Sequence, residues 1–236
     1  MNHSQISFAL SLDKIHEFFL ETNRLPVQLL QENEKIVILN SANSVLGEIT
    51  PALTFTQANE NHSARPSDFN FSINYLVMLV QAGIASLGAF EQGNMLYHKV
   101  IRKYMVRKCQ GKNQLKHLRE KGKSREGSRI RLQQTQEFID EIQDILNGWK
   151  EILDETGIVY YSCDVRLFSE IFPGDKKSVI SPSGIQFIKI PFYVKPPNYK
   201  ELVHVNYSLS TSTLILYPAN NELSWELEKI VHEILV

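Results

Sequence analysis

Residues 75–104 read YLVMLVQAGIASLGAFEQGNMLYHKVIRKY, three apolar runs parted by two turn signals. Tyr75 to Gln81 is almost wholly apolar, the pattern of a strand buried on both faces. Ile84 to Phe90 follows after Ala82-Gly83, and Gln92-Gly93-Asn94 is a second tight-turn signal before the run Met95 to Tyr104. Strands joined by such short connections pair antiparallel, so the stretch predicts a meander.

Downstream the periodicity stops. Lys108 to Ser128 contains Gly111, Gly122 and Gly127 and is almost without apolar residues apart from Leu115 and Leu118, which reads as a long loop; loops of that length inside compact domains are usually functional or disordered. Phe138, Ile142, Ile145, Trp149 and Ile152 then recur at spacings of three and four, widened by Ile139, Leu146 and Leu153. That stripe predicts one amphipathic helix from about Ser128 to about Thr156, stopped by Gly157. Strands follow at Ile158–Ser162, Phe187–Phe192 and Thr213–Tyr217, with helices at Arg166–Phe172, Tyr199–Leu209 and Glu222–Leu235. The fold class is α/β, a mixed sheet containing an antiparallel meander and covered by helices.

Upstream, Ile15, Phe18 and Phe19 mark a helix broken off at Pro26, Lys35 to Leu39 is a β-branched run, and Ser44 to Phe55 suggests another strand, kinked near Pro51. Gln57 to Asp68 is polar and reads as a linker. The expected organisation is an N-terminal α/β appendage (1–56), a linker (57–68) and a main domain (69–236). The 236 residues hold two cysteines, Cys109 and Cys163, too few for a disulfide framework and at no zinc spacing, so a reducing cytoplasmic compartment is expected. No cationic-then-apolar leader or membrane-spanning run is seen, so no membrane partner is expected. No metal and no small-molecule cofactor is expected: His98, His117 and His204 have no ligand spacing, Gly122-Lys123-Ser124 lacks the upstream glycine of a phosphate loop, and Asp140, Glu141 and Asp144 read as a solvated helix face.

The net charge of −1 conceals a strong asymmetry. From Lys99 to Arg131, thirteen lysines and arginines face two acids, Glu120 and Glu126, so this segment carries roughly +11 and the remainder roughly −12. Concentrated positive charge beside glycines suits an RNA-lined site: the cations neutralise phosphates and the glycines allow close backbone approach. Arg129 and Arg131 fall in the expected first turn of the helix, where they oppose the helix dipole unless an anion docks there. The RNA-binding candidates are Lys99, Arg102, Lys103, Arg107, Lys108, Lys112, Arg125, Arg129 and Arg131. A solvated basic turn, or a basic loop that binds an acidic protein, are the alternatives.

Basic residues give affinity, not chemistry. The run Lys99-Val100-Ile101-Arg102-Lys103-Tyr104-Met105-Val106-Arg107-Lys108-Cys109-Gln110-Gly111-Lys112-Asn113-Gln114 resembles the signature of the Vms-one-like release-factor domains, a basic strand and an Arg-Lys-rich turn before Gln-Gly-Gly-Ser-Gln. The likeness continues through the Gly/Ser/Arg segment and the long helix to Ile190-Pro191-Phe192, Pro196-Pro197 and Lys200-Glu201-Leu202, about residues 70–218. Residues 1–56 carry no resemblance of this kind.

That family is similar to the middle domain of eukaryotic and archaeal class I release factors. The resemblance implies ribonuclease-H-like topology and a glycine–glutamine loop placed in the peptidyl transferase centre. It implies large-subunit ribosomal RNA and peptidyl-tRNA as partners, and release of stalled chains in ribosome quality control, by ester hydrolysis or by cleavage near the tRNA 3′ end. By position Gln114 matches the functional glutamine and Gly111 the first glycine, while Lys112 and Asn113 stand where the family has glycine and serine.

A glutamine amide has no useful pKa, so it orients a nucleophile instead of acting as a base. A backbone N–H can steady developing negative charge, and most of the rate would come from the ribosomal site. The catalytic candidates are therefore Gln114, Gly111 and Asn113. Lys112 puts a side chain where positive φ is implied, costing about 1 kcal/mol, whereas asparagine visits that region more readily. A ribosome-binding module of the same fold without chemistry is the alternative function.

Overall fold

The computed structural model describes residues 5–32, 34–54, 56–57, 69–70, 74–103, 124–173, 184–217 and 222–236. The chain divides into two compact units. One comprises Met1–Ile73, Glu91–Asn94 and Val205–Val236, the other Asn74–Phe90 and Met95–His204.

The first unit takes the strands β1 (Ile6–Leu10), β2 (Val27–Glu32), β3 (Lys35–Asn40) and β4 (Val45–Thr50), with helix α1 (Leu12–Thr22) after β1. The short pair β5 (Thr56–Gln57) and β6 (Phe69–Asn70) follows.

The meander opens the second unit. Strands β7 (Asn74–Gln81), β8 (Ile84–Glu91) and β9 (Asn94–Arg102) are hydrogen-bonded neighbours joined by two-residue turns. The second turn has positive φ at both Gln92 (51°) and Gly93 (83°), the backbone that matches the twist of an antiparallel hairpin. After β9 come α2 (Ser124–Gly148), α3 (Lys150–Thr156), β10 (Ile158–Ser162), α4 (Val165–Ile171), β11 (Gln186–Lys189), α5 (Tyr199–Ser210), β12 (Ser212–Leu216) and α6 (Glu222–Leu235).

The second unit's sheet has the order β11-β10-β7-β8-β9. Strand β10 lies parallel to β7, with Tyr160 opposite Val77, and β11 lies parallel to β10, with Phe187 opposite Val159. An antiparallel meander extended by two parallel strands is the ribonuclease-H-like arrangement expected above.

The apolar run of β7 has a simple cause, because both of its faces are covered. Leu76, Met78 and Val80 share one core with Leu87, Ile101, Phe138, Ile142 and Leu146, so α2 lies on that face. Tyr75 points to the other face, where it stacks on Phe90 at 5.5 Å and meets Tyr160 edge-on. A Cβ on Gly88 would come within 2.7 Å of the Phe90 ring and 3.0 Å of Leu202 from α5, so close packing demands glycine there. Tyr161, Phe168, Phe172 and Phe187 fill the end of the core with ring contacts such as Tyr161–Phe168 at 4.6 Å.

The first unit's sheet has the order β1-β12-β4-β3-β2, antiparallel throughout. Helices α1 and α6 bury Ile15, Phe18, Phe19, Leu227, Val231 and Ile234 against Ile36, Ile38, Ile49, Leu214 and Leu216.

This arrangement corrects the expected organisation of 1–56 as an appendage and 69–236 as the main domain. Strand β12 sits between β1 and β4, with Ile6 opposite Leu216 and Thr213 opposite Thr50, and α6 closes the same core. Alternation of apolar residues says which face of β12 is buried but not which strands flank it. The structure adds two strands, β1 and β2, that no expected element covers. Their alternation is short, and β2 begins immediately after Pro26. The single helix expected over 128–156 starts earlier, at Ser124, and is interrupted between Gly148 and Lys150. No helix among the described residues is long and apolar enough to cross a membrane.

Candidate nucleic-acid interface

The basic segment leaves the sheet from β9, the last strand in the sheet's order. Ile101, 2 % exposed, anchors the strand in the core, whereas Leu96, Tyr97, His98, Lys99 and Arg102 are exposed. The strand's end is held in place: the Lys103 N–H donates to the Gly83 carbonyl at 2.8 Å, across the β7–β8 turn. Lys103 Nζ also lies 3.1 Å from a Glu141 carboxylate oxygen on α2. Both groups are about one-third exposed, so the pair contributes at most about 1 kcal/mol, but it ties the strand end to the helix.

Helix α2 is the second post. Phe138, Ile139, Ile142 and Leu146 bury its inner face, and Gln143 Nε2 donates to the Ile171 carbonyl at 2.8 Å, fixing it to the end of α4. Two of the helix-face acids have partners: Asp140 accepts from Gln136, and Glu141 faces Lys103. Among the described residues no group of three or more histidines, cysteines or acids is arranged to hold a metal ion.

The predicted site residues separate into three sets. Lys99 and Arg102 lie in the second half of β9, and Lys103 directly follows it. Arg125, Arg129 and Arg131 lie in α2. Because α2 begins at Ser124, Arg125 occupies its first turn and Arg129 and Arg131 its second, so the expected dipole conflict falls on Arg125. Arg107, Lys108, Gly111, Lys112, Asn113 and Gln114 lie outside the described residues, as does Cys109. Cys163 is half-buried, and burial first, with the Asp164 charge second, pushes its thiol up to about 12, which leaves it protonated and unreactive.

The fold also brings together a pair that the sequence reading did not join. His98 from β9 and Tyr199 from the start of α5 meet with ring centroids 4.8 Å apart. The two are far apart along the chain, and no spacing rule connects them. The available signal was weak: an aromatic and a histidine adjacent in a strand otherwise marked by cations.

A family model described as the Bacteroidetes VLRF1 release factor matches residues 75–216, more than half of the chain. The chain belongs to this release-factor family. The matched stretch of the release factor starts within β7 and ends at the last residue of β12, so it takes in the meander, the basic segment with Gly111 and Gln114, and α2. The chain is similar to the tRNA endonuclease vms-1 of Caenorhabditis elegans, at 28% identity over 128 residues, which are 53% of this chain and 20% of that protein. It therefore spans about a fifth of that relative's length. Among solved structures, the Vms1 mitochondrial localization core superposes with a TM-score of 0.47 and 15% identity over 76% of each chain.

Proposed function

We propose that this release-factor family member detaches the nascent chain from peptidyl-tRNA on stalled large ribosomal subunits, as a step of ribosome quality control in the cytoplasm. The observation that carries the reading is that the family match, residues 75–216, spans the basic segment; the sequence resemblance puts Gln114 in the role of the functional glutamine. Support comes from the two posts of that segment, β9 and α2, which are both seated on one core and joined by the Lys103–Glu141 pair.

In this reading the segment 104–123 is presented to the peptidyl transferase centre. Gln114 orients water or a ribose hydroxyl at the ester, Gly111 admits close backbone approach, and Asn113 supports the backbone conformation. Lys99, Arg102, Arg107, Lys108, Lys112 and the α2 arginines neutralise ribosomal and tRNA phosphates.

The test uses large subunits carrying a labelled chain on its tRNA. Wild type should release the chain, and Gln114→Ala should slow release by about a hundredfold or more, the scale expected for loss of one positioned polar group. Equal release by the two proteins would sink the catalytic assignment. Sequencing the 3′ end of the freed tRNA then separates the two chemistries, an intact CCA end meaning ester hydrolysis and a missing one meaning scission.

Lys112 and Asn113, where the family has glycine and serine, favour a second reading, a module that occupies the same RNA without chemistry. It predicts salt-dependent sedimentation with large subunits, weakened by joint replacement of Arg102, Arg107 and Lys108, and no release by wild type.

A further inference from the structure

The exposed edge of the second unit carries aromatic rings and cations together. Strand β9 is nine residues long, contains no acidic residue, and ends the sheet; among the described residues no strand pairs with its outer edge. Long exposed edges invite unwanted strand pairing unless charges or other devices block it. Here the edge is bordered by Lys99 and Arg102, for which no ion partner is found among the described residues.

Alternation along the strand sends His98 and Arg102 to one side of the sheet and Tyr97 and Lys99 to the other. On the first side stands Tyr199, 49 % exposed, with its ring against His98 at 4.8 Å and an interplanar angle of 51°, and exposed Lys200 follows it in the first turn of α5. On the second side Tyr97, 55 % exposed, leans on Trp149 at 6.4 Å. Rings held in place by neighbours yet open to solvent, interleaved with unpaired cations, are the elements that bind single-stranded nucleic acid: bases stack on the rings and phosphates meet the cations. From His98 to Arg102 the strand advances about 13 Å, room for more than one nucleotide to lie along the edge.

We infer that the β9 edge, with the His98–Tyr199 pair as its stacking surface and Arg102 and Lys200 on the same side as its phosphate contacts, binds a single-stranded stretch of RNA. The inference rests on the proposed RNA-directed function and adds a second contact zone to it, outside the glutamine segment. A duplex presents few open base faces, so the surface selects unpaired nucleotides such as a tRNA 3′ end.

The experiment is equilibrium binding of a short fluorescein-labelled single-stranded RNA ending in CCA, read by anisotropy at low salt. The His98→Ala/Tyr199→Ala double variant should bind about ten-fold or more weakly, and Tyr199→Phe, which keeps the ring, should stay within about twofold of wild type. An unchanged thermal midpoint of the variants confirms that they fold, and Tyr199→Phe covers the case in which the double variant does not. Affinity equal to wild type in the double variant, Tyr199→Phe as weak as the double variant, no binding by wild type, or preference for an acidic polypeptide over the RNA would each overturn the inference. Chain release with unaltered RNA affinity in the double variant removes the stacking surface and leaves the function standing. Ring-dependent RNA binding without any chain release does the reverse.

Discussion

Glu48 shows how a single side chain on an open sheet face acquires a role in stability. It accepts from Lys35 Nζ at 2.7 Å and from the Tyr217 hydroxyl, and these contacts, the lysine first, hold its carboxyl below the ordinary glutamate value. A depressed carboxylate adds stability that is fully present above the unfolded value near 4.5 and is lost as pH falls through the lower folded value. The first unit should therefore lose part of its stability in acid below that range. Glu48→Gln should lower stability at neutral pH and flatten this acid limb, so that the variant and wild type converge in acid, as followed by thermal unfolding across pH. At the same scale the candidate site was half legible. The cations of β9 and the glutamine motif are visible as residue types, because charge density and motif are written in the chain. The His98–Tyr199 contact was not, because it arises from α5 being laid across β9, which no local pattern specifies.

At the scale of elements, α2 is held on the sheet by few but deeply buried rings and branches. Phe138 has no exposed surface and sits among Leu76, Met78, Ile101 and Ile142. Phe138→Ala should cost about 3–5 kcal/mol, measurable as a shift in the denaturant midpoint of the second unit. The meander and the helix faces were readable because period-two and period-3.6 patterns follow directly from burial. The break near Trp149 was hidden by the same pattern. Ile145, Trp149 and Ile152 keep helical spacing through it, since Trp149 N–H bonds to both the Ile145 and Leu146 carbonyls as the turn tightens.

At the scale of the whole chain, two units of comparable content are made from interleaved stretches of sequence. A boundary drawn at the polar stretch 57–68 missed this, because composition marks linkers and not the return of the chain to an earlier sheet. Strand β12 supplies the central hydrogen bonds between β1 and β4. A protein shortened to end before Ser212 should lose amide-exchange protection across β3 and β4 while β7 and β10 keep theirs, as measured by hydrogen exchange with mass spectrometry. Retained protection of β4 in that variant would show that the first unit's sheet stands without β12.

The pairing of Ile6 with Leu216 has a consequence for the order of events during folding. Closing a loop roughly fifty times longer than that of an ordinary hairpin connection costs about 3.5 kcal/mol more in chain entropy, and contacts of such separation form slowly. The meander and α2 are completed by neighbours along the chain, so the second unit can collapse first and shorten the span that β1 and β12 must bridge. On a ribosome, β1 would be made about two hundred residues before the strand it pairs with. A copy whose synthesis halted before Ser212 would thus carry the second unit already formed and a half-built first unit, and chaperones and proteases would meet it by the exposed strand β4.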